Sequence, residues 1–164
     1  MLRYAITSRT LFPGDDSQQK IALLHQCAHW AADGIDFIQL REKDLPARDL
    51  AALARAILGV IPASSKTRLL INSRADVALA TLAHGVHLTA APGELTPSQI
   101  RSLYTTTGSP SPIITISCHT LAEVEQARHH QADAILFAPI FGKSIAGKPI
   151  IPGLGLDQLR HGLA

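Results

Sequence analysis

The chain predicts an α/β protein of the TIM-type (β/α) barrel class that stops after a sixth strand. Three observations carry that expectation. Short aliphatic or β-branched runs alternate with single amphipathic segments, an order that requires parallel strands joined by right-handed crossovers. Polar side chains stand at the carboxyl end of each predicted strand, where a barrel gathers its site. No GxGxxG or Walker sequence follows an early strand, as a doubly wound nucleotide-binding sheet would have.

The predicted strands are residues 2–7, 36–42, 68–72, 85–89, 112–117 and 134–140. Helices fill the intervals. The first carries Ile21, Leu24 and Ala28 at helical spacing, and the second carries Leu50, Leu53, Ala54 and Ile57 after Asp44 and Pro46 mark its start. Two later starts read as capping boxes, Thr96 with Gln99 behind Pro97 and Thr120 with Glu123. A length of 164 residues, 46% hydrophobic and 17% charged, suits one core and one domain over 1–164.

Composition also sets aside several function classes. With 15 Lys plus Arg against 13 Asp plus Glu, net charge is only +2, and no basic run or aromatic platform points to nucleic acid. No segment approaches the ~20 apolar residues that cross a bilayer, and the N-terminus lacks a signal-like apolar stretch, so no membrane partner and a cytoplasmic location are expected. Cys27 and Cys118 are too few for a disulfide framework or a thiolate metal cage and read as buried or neutral thiols.

The segment from Asp36 to Asp44 is the most informative. An apolar strand pattern passes within a few residues into alternating polar and charged side chains. In a strand Gln39, Arg41 and Lys43 share one face, and a guanidinium grips a planar anion through two hydrogen bonds, so phosphate, diphosphate or carboxylate is the natural guest. A solvated strand end is the bland alternative. The other strand ends bear Thr7 and Ser8, Asn72 and Ser73, His87 and Thr89, and Ser117 and His119, with Lys143 after the sixth strand.

Several segments taken in order, among them Phe37-Ile38-Gln39-Leu40-Arg41-Glu42-Lys43-Asp44, Leu70-Ile71-Asn72, Gly85-Val86-His87-Leu88, Ser117-Cys118-His119-Thr120 and Phe137-Ala138-Pro139-Ile140-Phe141, resemble the thiamine phosphate synthase and TenI-like thiazole tautomerase superfamily. The resemblance runs over nearly the whole chain. It implies a TIM barrel that binds a thiazole phosphate and, in the synthases, a pyrimidine diphosphate held with magnesium. Carried over by position, Gln39, Arg41, Lys43 and Asn72 match pyrimidine and diphosphate contacts, and Ser117 another diphosphate contact. The lysine of the sixth-strand loop matches either Lys143 or Lys148.

Departures from the synthase pattern shape the expected chemistry. Where synthases place two magnesium-binding aspartates, this chain has Ser73 and the run Ala90-Ala91-Pro92-Gly93-Glu94. Magnesium prefers carboxylate oxygens, and a serine does not replace that charge. The tautomerase branch moves a ring double bond by proton transfer and needs no metal or other cofactor. His119 occupies the place of its catalytic histidine, and an imidazole titrates near neutrality. The expected function is therefore a thiazole tautomerase-like enzyme acting on a thiazole carboxylate phosphate. The alternatives are magnesium-dependent thiamine phosphate synthesis and non-catalytic binding of thiazole or thiamine phosphate. On the tautomerase expectation Arg41 and His119 enter one mouth of the barrel.

The remaining histidines carry less. His25 and His29 are four apart on a helix but lack a third zinc ligand, and His129, His130 and His84 stand at helix ends, where positive charge suits the dipole. His87 reads as core or rim. After the sixth strand only Pro152-Gly153-Leu154-Gly155 and a short helix from Leu156 follow, whereas a closed barrel needs two more β/α units, whose loops supply a phosphate cup. A truncated barrel, a partial gene product, or closure by a further chain or a second copy are all consistent with that pattern.

Overall fold

Alternating strand and helix patterns resolve into β1 (Tyr4–Ile6), α1 (Asp16–Ala32), β2 (Phe37–Leu40), α2 (Ala47–Val60), β3 (Arg68–Asn72), α3 (Ala75–Thr81), β4 (Gly85–Leu88), α4 (Pro97–Thr106), β5 (Ile113–Cys118), α5 (Leu121–His129) and β6 (Ala134–Phe137). A computed structural model describes residues 2–89, 91, 93–145 and 148–163 of the protein, with the side chains of 143, 145, 148, 149 and 163 outside that description. Strands follow sequence order, β1-β2-β3-β4-β5-β6, in one sheet. The pairs β1–β2, β2–β3 and β5–β6 are parallel: Tyr4 stands opposite Phe37, Gln39 opposite Leu70, and Ser117 opposite Leu136. All six predicted strands are present, and the α/β fold class follows.

The chain divides into two units, Met1–Val86 and His87–Ala164. In the first, β2 and β3 are almost wholly buried, with Ile38, Leu40, Leu69, Leu70 and Ile71 fully covered. Near-continuous apolar strands are what a parallel sheet covered on both faces demands. Helix α2 buries Leu50, Leu53, Ala54 and Ile57, the four positions its spacing predicts. Helix α1 differs from expectation. Its buried stripe is Leu23, Cys27 and Ala31, while Ile21 is 55% exposed and Leu24 and Ala28 are half-buried. Both stripes repeat every three to four residues, so periodicity alone did not select between them.

In the second unit, Cys118, Val124 and Ala127 form a small core with Ile116, Ile135 and Phe137 against it. The Thr96 box is complete: Thr96 Oγ1 accepts from the Gln99 backbone N–H and Gln99 Oε1 accepts from the Thr96 N–H. At α5 only half of the predicted box forms. Thr120 accepts from the Glu123 N–H, but the Glu123 carboxylate accepts from the N–H of His119, one residue earlier.

Beyond β6 the chain makes an antiparallel hairpin, β7 (Lys143–Ile145) and β8 (Lys148–Ile151), and then α6 (Gly155–Leu163). A loop is the expectation for this glycine-containing run, and a hairpin forms instead. Leu154 and Gly155 donate backbone N–H groups to Pro139 and Ile140 carbonyls at 2.9 Å each, tying the hairpin's exit to the end of β6. Gly153 is required at that crossing, since a Cβ there would lie 2.6 Å from both the Gly142 nitrogen and the Ile140 oxygen.

Candidate functional site

The first unit brings several predicted residues together at the ends of β2 and β3. Gln39 is only 1% exposed, and its Nε2 donates to Asn72 Oδ1 at 2.7 Å. Asn72 in turn donates from Nδ2 to Ser73 Oγ at 3.2 Å. Gln39 is the donor and Asn72 the acceptor at the first step of this relay. Gln39 Oε1 is left buried with no hydrogen-bond partner among the described residues. Such an acceptor is costly to leave unmet, so it is suited to an N–H donor from outside the protein.

Arg41 and Lys43 are exposed, with buried Glu42 between them, which preserves the predicted alternation. Its cause differs from the expectation, because β2 ends at Leu40 and both cations lie in the turn that follows. Side chains from the end of β1 shape that turn. Thr7 Oγ1 donates to Glu42 Oε1 at 2.7 Å and accepts from the Arg41 backbone N–H at 2.9 Å. Arg9, buried in a short 3-10 turn, reaches Glu42 from Nη1 at 3.0 Å, Asp16 from Nε at 3.0 Å, and Asp44 from both Nη atoms. Hydrogen bonding to Asp44 raises the Arg9 pKa further above its ordinary value, and Arg9 holds the Asp44 carboxyl down at about 2.

A cavity of about 340 Å³ opens beside this turn, lined in part by Lys43, Asn72, Ser73 and Arg74. Ser73 has φ of 56°, a left-handed conformation uncommon for a residue with a Cβ. Arg74 is held in a bidentate pair with Asp76.

In the second unit Ser117 and His119 acquire distinct partners. His87, expected at core or rim, is 2% exposed, with Nδ1 2.8 Å from Thr115 Oγ1 and Nε2 3.0 Å from Ser117 Oγ. Its role as a bridge between hydroxyls was missed. The signal lay in Thr115 and Ser117, two apart on a strand and so on one face. His119 lies just past the end of β5 and is exposed. Its Nδ1–H donates to the Ala138 carbonyl at 2.7 Å, which leaves Nε2 as the basic nitrogen.

Lys143 opens β7 and Lys148 opens β8, but their side chains lie outside the described residues. His84 is corrected. Its Nδ1 accepts from the Leu69 N–H at 3.0 Å and burial lowers its pKa, so it serves as a neutral acceptor and not as a helix-end cation. Burial raises Cys27 to about 12 and Cys118 to about 11, and both are free thiols. No helix among the described residues is long and apolar enough to cross a membrane.

The magnesium that the resemblance implies meets a poor donor set. Ser73 offers a neutral hydroxyl, while Glu94 accepts from the Thr89 N–H and hydroxyl with Oε2 and leaves Oε1 buried without a hydrogen-bond partner among the described residues. No group of three His, Cys, Asp or Glu side chains comes together among the described residues. Ala90 and Pro92 lie outside them. With a serine at position 73, one of the two carboxylates that the resemblance implies for magnesium is absent.

The sequence profile of the family described as thiamine monophosphate synthase matches residues 4–163. A putative thiamine-phosphate synthase of Geobacter sulfurreducens is 38% identical over 159 residues, covering 95% of this chain and 67% of that protein. A putative thiamine-phosphate synthase 2 of Aquifex aeolicus is 36% identical over 128 residues, 78% of this chain and 63% of the relative. The chain thus spans about two thirds of the length of these relatives. A thiamine phosphate pyrophosphorylase structure from Pyrococcus furiosus superposes with a TM-score of 0.74 at 24% identity, over 98% of this chain and 68% of that one, and shares the fold. The chain belongs to the thiamine monophosphate synthase family.

Proposed function

We propose that the chain carries the pyrimidine- and diphosphate-binding face of a thiamine-phosphate synthase, which joins hydroxymethylpyrimidine diphosphate to thiazole phosphate. The buried, unpartnered Gln39 Oε1 carries this reading. An aminopyrimidine offers an exocyclic N–H₂ to meet that acceptor, whereas a thiazole phosphate offers no such donor. The names of the relatives point the same way. They favour the synthase over the tautomerase expected from Ser73 and His119.

Arg41 and Lys43 would hold the diphosphate. As the bond from the pyrimidine methylene to oxygen breaks, negative charge grows on the departing diphosphate, and the thiazole nitrogen forms the new bond to the methylene carbon. Preorganised cations stabilise such developing charge most effectively. Ser117 and either Lys143 or Lys148 match further diphosphate contacts by position in the family, and a small-molecule thiazole phosphate is the second substrate.

The test follows formation of thiamine phosphate and release of diphosphate from the two substrates, with magnesium and with a chelator. Product that is lost in Gln39→Leu and Arg41→Ala supports the proposal. Failure to bind either the pyrimidine diphosphate or pyrophosphate overturns it.

One observation favours a second reading, metal-independent thiazole tautomerisation. His119 presents Nε2 as a base while Ala138 fixes its tautomer. Aromatisation of a dihydrothiazole carboxylate phosphate in the presence of chelator, abolished in His119→Ala, would establish that reading in place of the first.

A further inference from the structure

Arg41 and Lys43 are long, exposed cations on a turn, and ordering such groups on binding costs conformational entropy. Their backbone is nevertheless held from beneath. Glu42 is 5% exposed and accepts from three donors: the Thr7 hydroxyl, the Arg9 N–H at 3.1 Å and 3.2 Å to its two oxygens, and the Arg9 guanidinium; Thr7 in turn accepts from the Arg41 N–H. Arg9 is also nearly buried, and Asp44 closes the far side of the turn on the same guanidinium. All three nitrogens of Arg9 bond carboxylates of the protein, so its charge is committed internally.

We infer that Thr7, Arg9 and Glu42 are positioning residues for anion binding, which hold the turn 41–44 in its ligand-ready shape so that Arg41 and Lys43 meet a diphosphate without folding the turn around it. This rests on the reading that Arg41 and Lys43 bind the diphosphate. The Thr7 hydroxyl is the key joint, since it donates to the Glu42 carboxylate and accepts from the Arg41 backbone with a single oxygen. Glu42 is the anchor because its carboxylate takes the charge of Arg9 while pointing away from the exposed faces of its two cationic neighbours.

The experiment measures binding of inorganic pyrophosphate to the full chain by calorimetry. Thr7→Val, which keeps shape and removes the hydroxyl, and Glu42→Gln are expected to weaken binding about ten-fold or more, as loss of hydrogen bonds to a charged group implies. Thr7→Ser restores the hydroxyl and should restore affinity. Placed on Arg41→Ala, Thr7→Val should cost much less than it does alone, because positioning has nothing left to position. Wild-type affinity in Thr7→Val, with Arg41→Ala strongly impaired, overturns the inference and leaves the functional reading standing. Unchanged affinity in both Arg41→Ala and Lys43→Ala overturns that reading together with the inference.

Amide hydrogen exchange in the unmodified chain gives a check that no folding defect disturbs. The Arg41 amide should be protected before pyrophosphate is added, and protection that arises only with pyrophosphate overturns the inference.

Discussion

Gln39 occupies an unusual position: one end of its amide is satisfied by Asn72 and the other is buried without a partner. Gln39→Leu removes the unmet acceptor but strands Asn72 Oδ1, so the two effects oppose and stability should change by only about 1 kcal/mol in urea denaturation. Binding of an aminopyrimidine should fall far more, since its donor loses its partner. A second residue-scale effect concerns Asp44. Arg9 holds its folded pKa at about 2, below the ~3.9 of an unfolded aspartate, so folding favours the ionised form. That contribution is complete above ~3.9 and is lost as pH falls through about 2. Acid unfolding of Arg9→Met should therefore show a shallower loss of stability in that window than the unmodified chain.

Among elements, α2 shows the closest match between pattern and burial. Its four apolar positions at helical spacing all lie inside, and Ile57 is fully covered. Ile57→Ala should cost about 2–5 kcal/mol in denaturant unfolding, the range for a large side chain removed from a packed core. Thr96→Ala should cost about 1 kcal/mol through loss of its N-cap bond. These elements were legible because the forces that make them act within four residues. The stripe of α1, the end of β2 and the Glu123 reach to His119 were not, since each depends on what packs against the element or on how the chain enters it. The β7–β8 hairpin was hidden for a related reason: its short strands are flanked by Gly142 and Gly153, which meet at a backbone crossing that only the fold brings together.

For the molecule as a whole, a ligand that binds only the folded chain should stabilise it by mass action. Pyrophosphate at 100 times its dissociation constant should raise unfolding free energy by about 2.7 kcal/mol, and Arg41→Ala should remove that gain at the same concentration. The family, the α/β alternation and the identity of the polar strand-end residues could all be read from the chain alone. Ligand roles for Lys143, Lys148, Ser117 and His119 remain part of the proposal, tested by loss of pyrophosphate affinity or of proton transfer in each alanine variant.

By itself the sequence determined that six strands alternate with helices, where α2 and α4 begin, and that polar groups follow successive parallel strands. Only the tertiary structure decided that Gln39 meets Asn72, that Arg9 and Thr7 hold Glu42 beneath Arg41 and Lys43, and that His87 bridges Thr115 and Ser117. Helix and strand periodicity is set by neighbours a few positions apart, whereas these partners lie 28 to 35 residues apart, and the contacts exist only once strand register and burial have fixed where each side chain ends.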